Sequence, residues 1–368
     1  MFQPIIFKLP KIDKNLKLDY NNNVYHTVPT YPLSSLGYHQ YITRTRESLG
    51  TRLKNITTDT QIFFVVNPGE IKISNYEDNI EMLSKKYLKM EDISIQTIIL
   101  WELLFTFDIY GTNCIVSENL ENLVKIFGEK MGKNEKIKLY SKDKEIEKLK
   151  SNSCDLIILL NDTIVDENNN VNNMINMIIR ILSNQSENGT TILQIGDTFT
   201  FNTLKLIYIL TSFFDDVIVY KPYTSKSYEI DKYLILSKFK SNKNIDMVVK
   251  QLEKSISPKD KFHINLFPDL TLSNDFISIF KYINIKLVNT QQIYINDIIV
   301  FIKGNDYFGD DYHKYKSIQL AFTKWWIMTF FPPSVNLYKK NKEELDSLIS
   351  STQEKIKLET QNFLQTIM

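Results

Sequence analysis

Apolar positions along this chain change rhythm repeatedly, and each change marks an element. Cys114-Ile115-Val116, Lys136 to Tyr140 and Cys154 to Leu160 are short apolar runs that predict strands. Helical spacing follows each of them, in Leu120 to Met131, Asp143 to Lys150 and Val171 to Leu182. Thr190 to Ile195 predicts a fourth strand and Thr203 to Phe214 a helix, with two further strands, Asp216 to Tyr220 and Tyr233 to Leu236, about a polar turn. The Cys154 run is continuously apolar from Leu156 to Leu160, the pattern of a strand covered on both faces. Strand and helix alternating in this way predict an α/β fold over residues 96–242, a doubly wound parallel sheet with helices on both faces.

The flanks follow other patterns. Residues 1–95 predict an N-terminal arm with helical extension. It carries Pro4, Pro10, Pro29 and Pro32, a helix from Leu36 to Leu53, and a strand at Phe63 to Val66 ended by Asn67-Pro68-Gly69. Helices are expected at Tyr76 to Tyr87 and Ile95 to Phe107, the second burying Ile98, Trp101, Leu104 and Phe105. Residues 243–368 predict a mostly helical C-terminal region with one strand, Asp297 to Ile302. Its last segment sets Leu345, Ile349, Ile356, Phe363 and Ile367 along one stripe, which packs on its own protein or is offered to a partner. Trp325, Trp326, Phe330 and Phe331, before Pro332-Pro333, are either core or a base-stacking platform.

Composition narrows the function classes. At 368 residues, 43% of them hydrophobic, the chain can bury at least one large core. A net charge of +1, from 44 basic and 43 acidic side chains, argues against affinity resting mainly on phosphate contacts. The Lys-rich stretch from Lys125 to Lys150 is interrupted by Glu129, Glu135, Asp143, Glu145 and Glu147, and reads as a solvated helical face before a nucleic-acid patch. Cys114, Cys154 and the histidines His26, His39, His263 and His313 nowhere fall at metal-ligand spacing, so no metal is expected. Both cysteines sit in apolar strands, as reduced core thiols do. Met1 to Pro10 lacks a signal-peptide pattern, and no apolar run approaches the roughly 20 residues that span a bilayer. The expectation is a soluble protein, cytoplasmic or virion-associated, with no membrane contact.

The most specific local signal lies between Gly189 and Phe239. It runs Gly-Thr-Thr-Ile-Leu-Gln-Ile-Gly-Asp-Thr-Phe-Thr, a helix, Phe-Phe-Asp-Asp-Val-Ile-Val-Tyr-Lys-Pro-Tyr-Thr-Ser-Lys, and then Asp231-Lys232-Tyr233. In order, spacing and turn residues this block resembles the second half of the FtsJ-type RNA 2′-O-methyltransferase family, in the form of the cap methyltransferases of eukaryotes and large DNA viruses. Upstream, Phe63 to Gly69, Ser84-Lys85-Lys86-Tyr87 and Trp101-Glu102-Leu103-Leu104 resemble the region that precedes the family's cofactor loop. The two blocks cover about half of the chain and leave residues 1–60 and 243–368 without support.

The resemblance implies a Rossmann-like class I sheet that binds S-adenosylmethionine (SAM). It also implies a Lys-Asp-Lys-Glu tetrad in which one lysine acts on the ribose 2′-hydroxyl. Carried over, the first lysine falls on Ile99, the aspartate on Leu160 or Asp162, the second lysine on Gln194 and the glutamate on Asp231. Glutamine has no titrating nitrogen and cannot be a base. The glycine-rich cofactor loop falls on Val116-Ser117-Glu118-Asn119-Leu120, which holds no glycine, so Glu118 and Asn119 mark a cofactor position whose space is expected to be filled.

The implied function is therefore a catalytically inactive FtsJ homologue, a binding or scaffolding subunit with a protein partner and RNA within reach, in mRNA capping, RNA processing or a virion. It needs no cofactor. The alternative is an active SAM-dependent cap methyltransferase in which Lys221 or Lys226 replaces the missing base.

Overall fold

A computed structural model describes residues 2–12, 16, 18–28, 34–54, 64–73, 77–133, 135–160, 166–241, 244–258, 261–304 and 309–367, with side chains to 362. Its strands are β1 (Ile5–Lys8), β2 (Val24–His26), β3 (Asn113–Val116), β4 (Lys138–Tyr140), β5 (Cys154–Leu159), β6 (Gln185–Ile195), β7 (Phe214–Lys221), β8 (Lys232–Phe239) and β9 (Phe262–Asn265). The first helices are α1 (Leu36–Leu53), α2 (Ile80–Leu88), α3 (Ile95–Phe107), α4 (Glu121–Lys130), α5 (Asp143–Ile146) and α6 (Glu167–Asn184). They are followed by α7 (Phe201–Thr211), α8 (Ile245–Ser255), α9 (Asn274–Gly304), α10 (Asp310–Phe330) and α11 (Val335–Ile367).

Seven strands form one sheet in the order β1-β7-β8-β6-β5-β3-β4. The α/β alternation holds, and β4, β3, β5 and β6 run parallel. The sheet is mixed, however: β8 is antiparallel to both β6 and β7, and β1 is antiparallel to β7. The short turn between Lys221 and Lys232 dictates this, because a parallel return would need a crossover of about a dozen residues or more. β7 thus runs in the same direction as the parallel core, and the carboxyl ends of β3 to β7 open on one edge.

Helices cover both faces. α6, α7, α8 and the first half of α9 bury Ile175, Ile178, Leu204, Ile207, Phe276 and Phe280 against one face. α3, α4, α10 and α11 bury Trp101, Leu104, Phe127, Trp326 and Phe330 against the other. The aromatic cluster before Pro332 is therefore core, and the Trp101 indole N–H donates to the Phe330 carbonyl at 2.8 Å. Leu345 and Ile349 are buried in the same cluster, and Ile356 packs against the opposite one, so the described part of the C-terminal stripe is internal packing. Both cysteines are free and buried, and burial raises their thiol pKa values, that of Cys154 to about 11.

Two expected strands are helical. Asp297 to Ile302 lies inside α9, where Phe276, Phe280, Ile283, Leu287, Ile295, Ile298 and Phe301 are buried at helical spacing while Val300 faces solvent. The β-branched run resembles a strand locally, and the longer periodicity prevails. Residues 64–66 form a single tight helical turn; Phe63 lies outside the described residues.

The arm is woven into the molecule. β1 adds the edge strand, with Ile5 opposite Lys221. β2 pairs with β9, and α1 lies along α9.

Candidate functional site

Gln194 and Asp231 come together at the carboxyl end of β6. Gln194 pairs with Tyr233, and Ile195 pairs with Lys232. Opposed residues share a face of the sheet, so Gln194 and Tyr233 face one side while Ile195 and Lys232 face the other. Tyr233 and Ile99 belong to one core cluster, which places the first and third tetrad positions on the same side of the sheet. Ile99 is packed among the apolar side chains of α3. Asp162 lies outside the described residues, and Leu160 stands just past β5.

The end of β6 is closed on the face that Ile195 and Lys232 share with α6 and α7. The space there, lined by Glu167, Met174, Gly196, Asp197 and Thr203, amounts to about 10 Å³, room for one water at most. Arg46 of α1 grips Asp197 with two hydrogen bonds, at 2.6 and 3.1 Å, and donates to Gln291 of α9 at 2.6 Å. Helices from both flanking regions are thereby pinned over this edge. Beneath them Glu167 accepts from the Phe199 and Thr200 amides at 3.0 and 3.1 Å. Burial and, secondarily, the Asp197 charge raise its pKa to about 7. Thr200 caps α7, its hydroxyl accepting from the Thr203 amide.

Asp231 is equally committed. Its Oδ2 accepts from the Ser225 hydroxyl at 2.8 Å and its Oδ1 from the Lys221 ammonium at 3.3 Å. The same ammonium donates to the Glu229 and Asp231 carbonyls, each at 2.9 Å, so all three of its N–H bonds are used. Lys226 lies near the stacked rings of Phe64 and Tyr228 and pairs with Glu229 at 3.5 Å. A third lysine, Lys232, is buried on the opposite face with its ammonium on the Gly196 carbonyl; desolvation pulls its pKa down to about 8.

Two strands away the sheet is open. A crevice of about 620 Å³ lies over the ends of β3, β4 and β5, lined by Ser117, Glu118, Asn119, Ser141, Asp143 and Arg180 among others. The expectation that this space is filled is corrected. The chain leaves β3 through Asn119 in the left-handed region (φ 69°), which asparagine tolerates, and Glu118 and Asn119 point into solvent. Three of the backbone amides at this end are engaged within the protein. Ser117 donates its amide to the Ile158 carbonyl at 3.0 Å, Leu120 donates to the Ser117 carbonyl at 3.4 Å, and the Leu160 amide is taken by the Ser117 hydroxyl at 2.8 Å. Ser117 thus stitches β3 to β5. The crevice's one cationic side chain among its described lining, Arg180, is paired with Asp143 at 2.6 Å. Among the described lining no unpaired cationic side chain is offered to the amino-acid carboxylate of SAM.

Glu102, quoted in the resemblance only as part of a motif, is a fully buried junction. It accepts from the Tyr220 hydroxyl (3.0 Å), the Tyr223 amide (2.6 Å), the Thr224 amide (3.2 Å), the Thr224 hydroxyl (3.0 Å) and the Trp326 indole (3.0 Å). It fixes the turn after β7 against α3 and α10. A charged residue inside an apolar helix was the available signal; its partners are too distant in sequence to have been read.

No family model matches the chain. The chain is similar to an uncharacterized protein of Acanthamoeba polyphaga mimivirus, 26% identical over 264 residues that cover 68% of this chain and 73% of that protein. Among the described residues no group of His, Cys, Asp and Glu could hold a metal ion, and no helix is long and apolar enough to cross a membrane.

Proposed function

We propose that the chain is an FtsJ-like 2′-O-methyltransferase homologue that has lost catalysis and serves as a binding or scaffolding subunit of an RNA-processing or virion-associated assembly. The observation that carries this reading is the chemistry at the end of β6. Gln194, largely buried, stands where the base would be and has no titrating nitrogen. Asp231 already holds Ser225 and Lys221. The sheet supports the Rossmann-like part of the reading, since it doubles back at β3 and β5 and keeps its crevice at that switch point. The viral relative is in keeping with a viral setting.

The open crevice favours a second reading, an active SAM-dependent cap methyltransferase. That reading needs a free base. Lys221 has spent all three of its donors, Lys226 is tied to Glu229, and Lys232 points to the opposite face.

The Gln194→Lys variant tests the proposal on capped RNA with SAM. No 2′-O-methylation is expected, because the new ammonium would lie on the side of the sheet that holds Ile99 instead of a second cation. Methylation by this single variant would show that the rest of the site is intact and would overturn the proposal.

A further inference from the structure

Between α10 and α11 the surface carries an apolar groove of about 490 Å³. We propose that this groove is covered by the same groove of a second copy of the chain, in a two-fold dimer whose interface is a four-helix bundle. Such a dimer is independent of the loss of catalysis, because none of its contact residues belongs to the end of β6 or to the crevice at β3.

Spacing shows a seam. α10 buries Gln319, Phe322, Thr323, Trp326 and Phe330 in its own protein. Beside that stripe runs a second one, Ile318, Ala321, Trp325 and Met328, whose steps alternate between three and four residues as in packed helix pairs. It remains largely in water: Met328 is 67% exposed, Ile318 is exposed, and Trp325 is half-buried. Across the groove α11 contributes Leu345 and Leu348. The Asn341 side-chain amide donates to the Met328 and Thr329 carbonyls at 2.8 and 3.0 Å, which ties the two helices together at one end. A protruding methionine and an open groove thus stand on one face, each able to fill or receive its counterpart on another copy.

Charge then decides the occupant and the axis. Lys324 directly precedes Trp325, and Glu344 directly precedes Leu345, so both flank the seam where paired helices carry their matching charges. They stand on opposite walls, and the short turn between Phe330 and Val335 makes α10 and α11 antiparallel, which sets them at about the same level. Among the described residues Lys324 has no carboxylate partner, and Glu344 reaches only the exposed Lys340, at 3.9 Å. A two-fold axis along the groove lays α10 of each copy on α11 of the other and brings each Lys324 to the other copy's Glu344. An axis across the groove would instead set lysine against lysine and glutamate against glutamate, which is unfavourable. In the favoured arrangement Trp325 and Met328 of each copy pack on Leu345 and Leu348 of the other. Every neighbouring pair of helices is then antiparallel, as in an up-down bundle.

Sedimentation equilibrium on the full chain, from about 1 to 100 μM, tests this. The mean mass should rise from that of the monomer toward twice that value. Met328→Glu, Lys324→Glu and Glu344→Lys should each weaken association by about tenfold or more while leaving the unfolding midpoint unchanged, because all three side chains are exposed. Combining Lys324→Glu with Glu344→Lys exchanges the signs of both pairs and should return association to within about threefold of wild type. A chain that stays monomeric throughout this range overturns the proposal and leaves the groove to a different partner. A dimer that the single reversals leave intact overturns it too, as does a double variant that associates no more tightly than the single ones.

Discussion

Replacing His263 by leucine should flatten the acid limb of the stability curve. His263 lies in β9 opposite Tyr25 of β2, with its ring centroid 4.8 Å from the tyrosine ring. It is buried, and neither ring nitrogen meets a hydrogen-bond partner among the described residues. Desolvation lowers its pKa from 6.5 to about 4. A base with a depressed folded pKa binds fewer protons folded than unfolded, so stability is present above 6.5 and is lost as pH falls toward 4. At about 1.4 kcal/mol per pKa unit the whole shift is worth roughly 3 kcal/mol, and about 2 kcal/mol of it is lost between pH 7.5 and pH 5. Glu167 works in the opposite direction, since its raised folded pKa of about 7 adds stability as pH falls from there. Urea titrations of wild type and His263→Leu at both pH values cancel that contribution. The wild type should lose about 2 kcal/mol more than the variant. Equal losses would mean that the imidazole is not buried uncharged, and the pairing of β2 with β9 would need redrawing.

Other perturbations test other joints. Glu102→Ala strands the donors of Tyr220, Tyr223, Thr224 and Trp326 and should cost about 3–5 kcal/mol in chemical denaturation, with Glu102→Gln losing less. Arg46→Ala removes the clamp on Asp197; because the pair is partly exposed, the global cost should be about 1 kcal/mol, and hydrogen exchange should rise in α1 while the β5–β6 core stays protected. Deleting residues 339–368 takes Leu345 and Ile349 from the core around Trp326 and should lower the unfolding midpoint. An unchanged midpoint would return the stripe to the role of a surface kept for a partner.

What could be read from the residues divides by range. The span Ile95–Phe107 is as the periodicity predicts, because helical burial repeats within a few residues. α9 defeated the same reasoning at Asp297, where a β-branched run was shorter than the helix that holds it. Antiparallel β8 was legible only in its short turn. The candidate site was harder still. Gln194 and Asp231 were placed by motif, and the register brings them to one edge. The clamp at that edge depends on Arg46 meeting Asp197 and Gln291, partners distant in sequence on separate elements, which no local pattern encodes. The crevice at Glu118 was misjudged because the absence of glycine was taken for a lack of space. Asn119 supplies the left-handed residue there, and Ser117 holds the strands while the volume outside them stays open.

The claim that catalysis has been lost is tested most directly by a single-turnover assay of the unmodified chain, in molar excess over capped RNA with saturating SAM, read by mass spectrometry of the digested nucleosides. The account predicts no 2′-O-methylated nucleoside above the protein-free control. A 2′-O-methylated product that depends on the protein and disappears in the Asp231→Ala variant would contradict it, and would mean that a base other than Gln194 serves the end of β6.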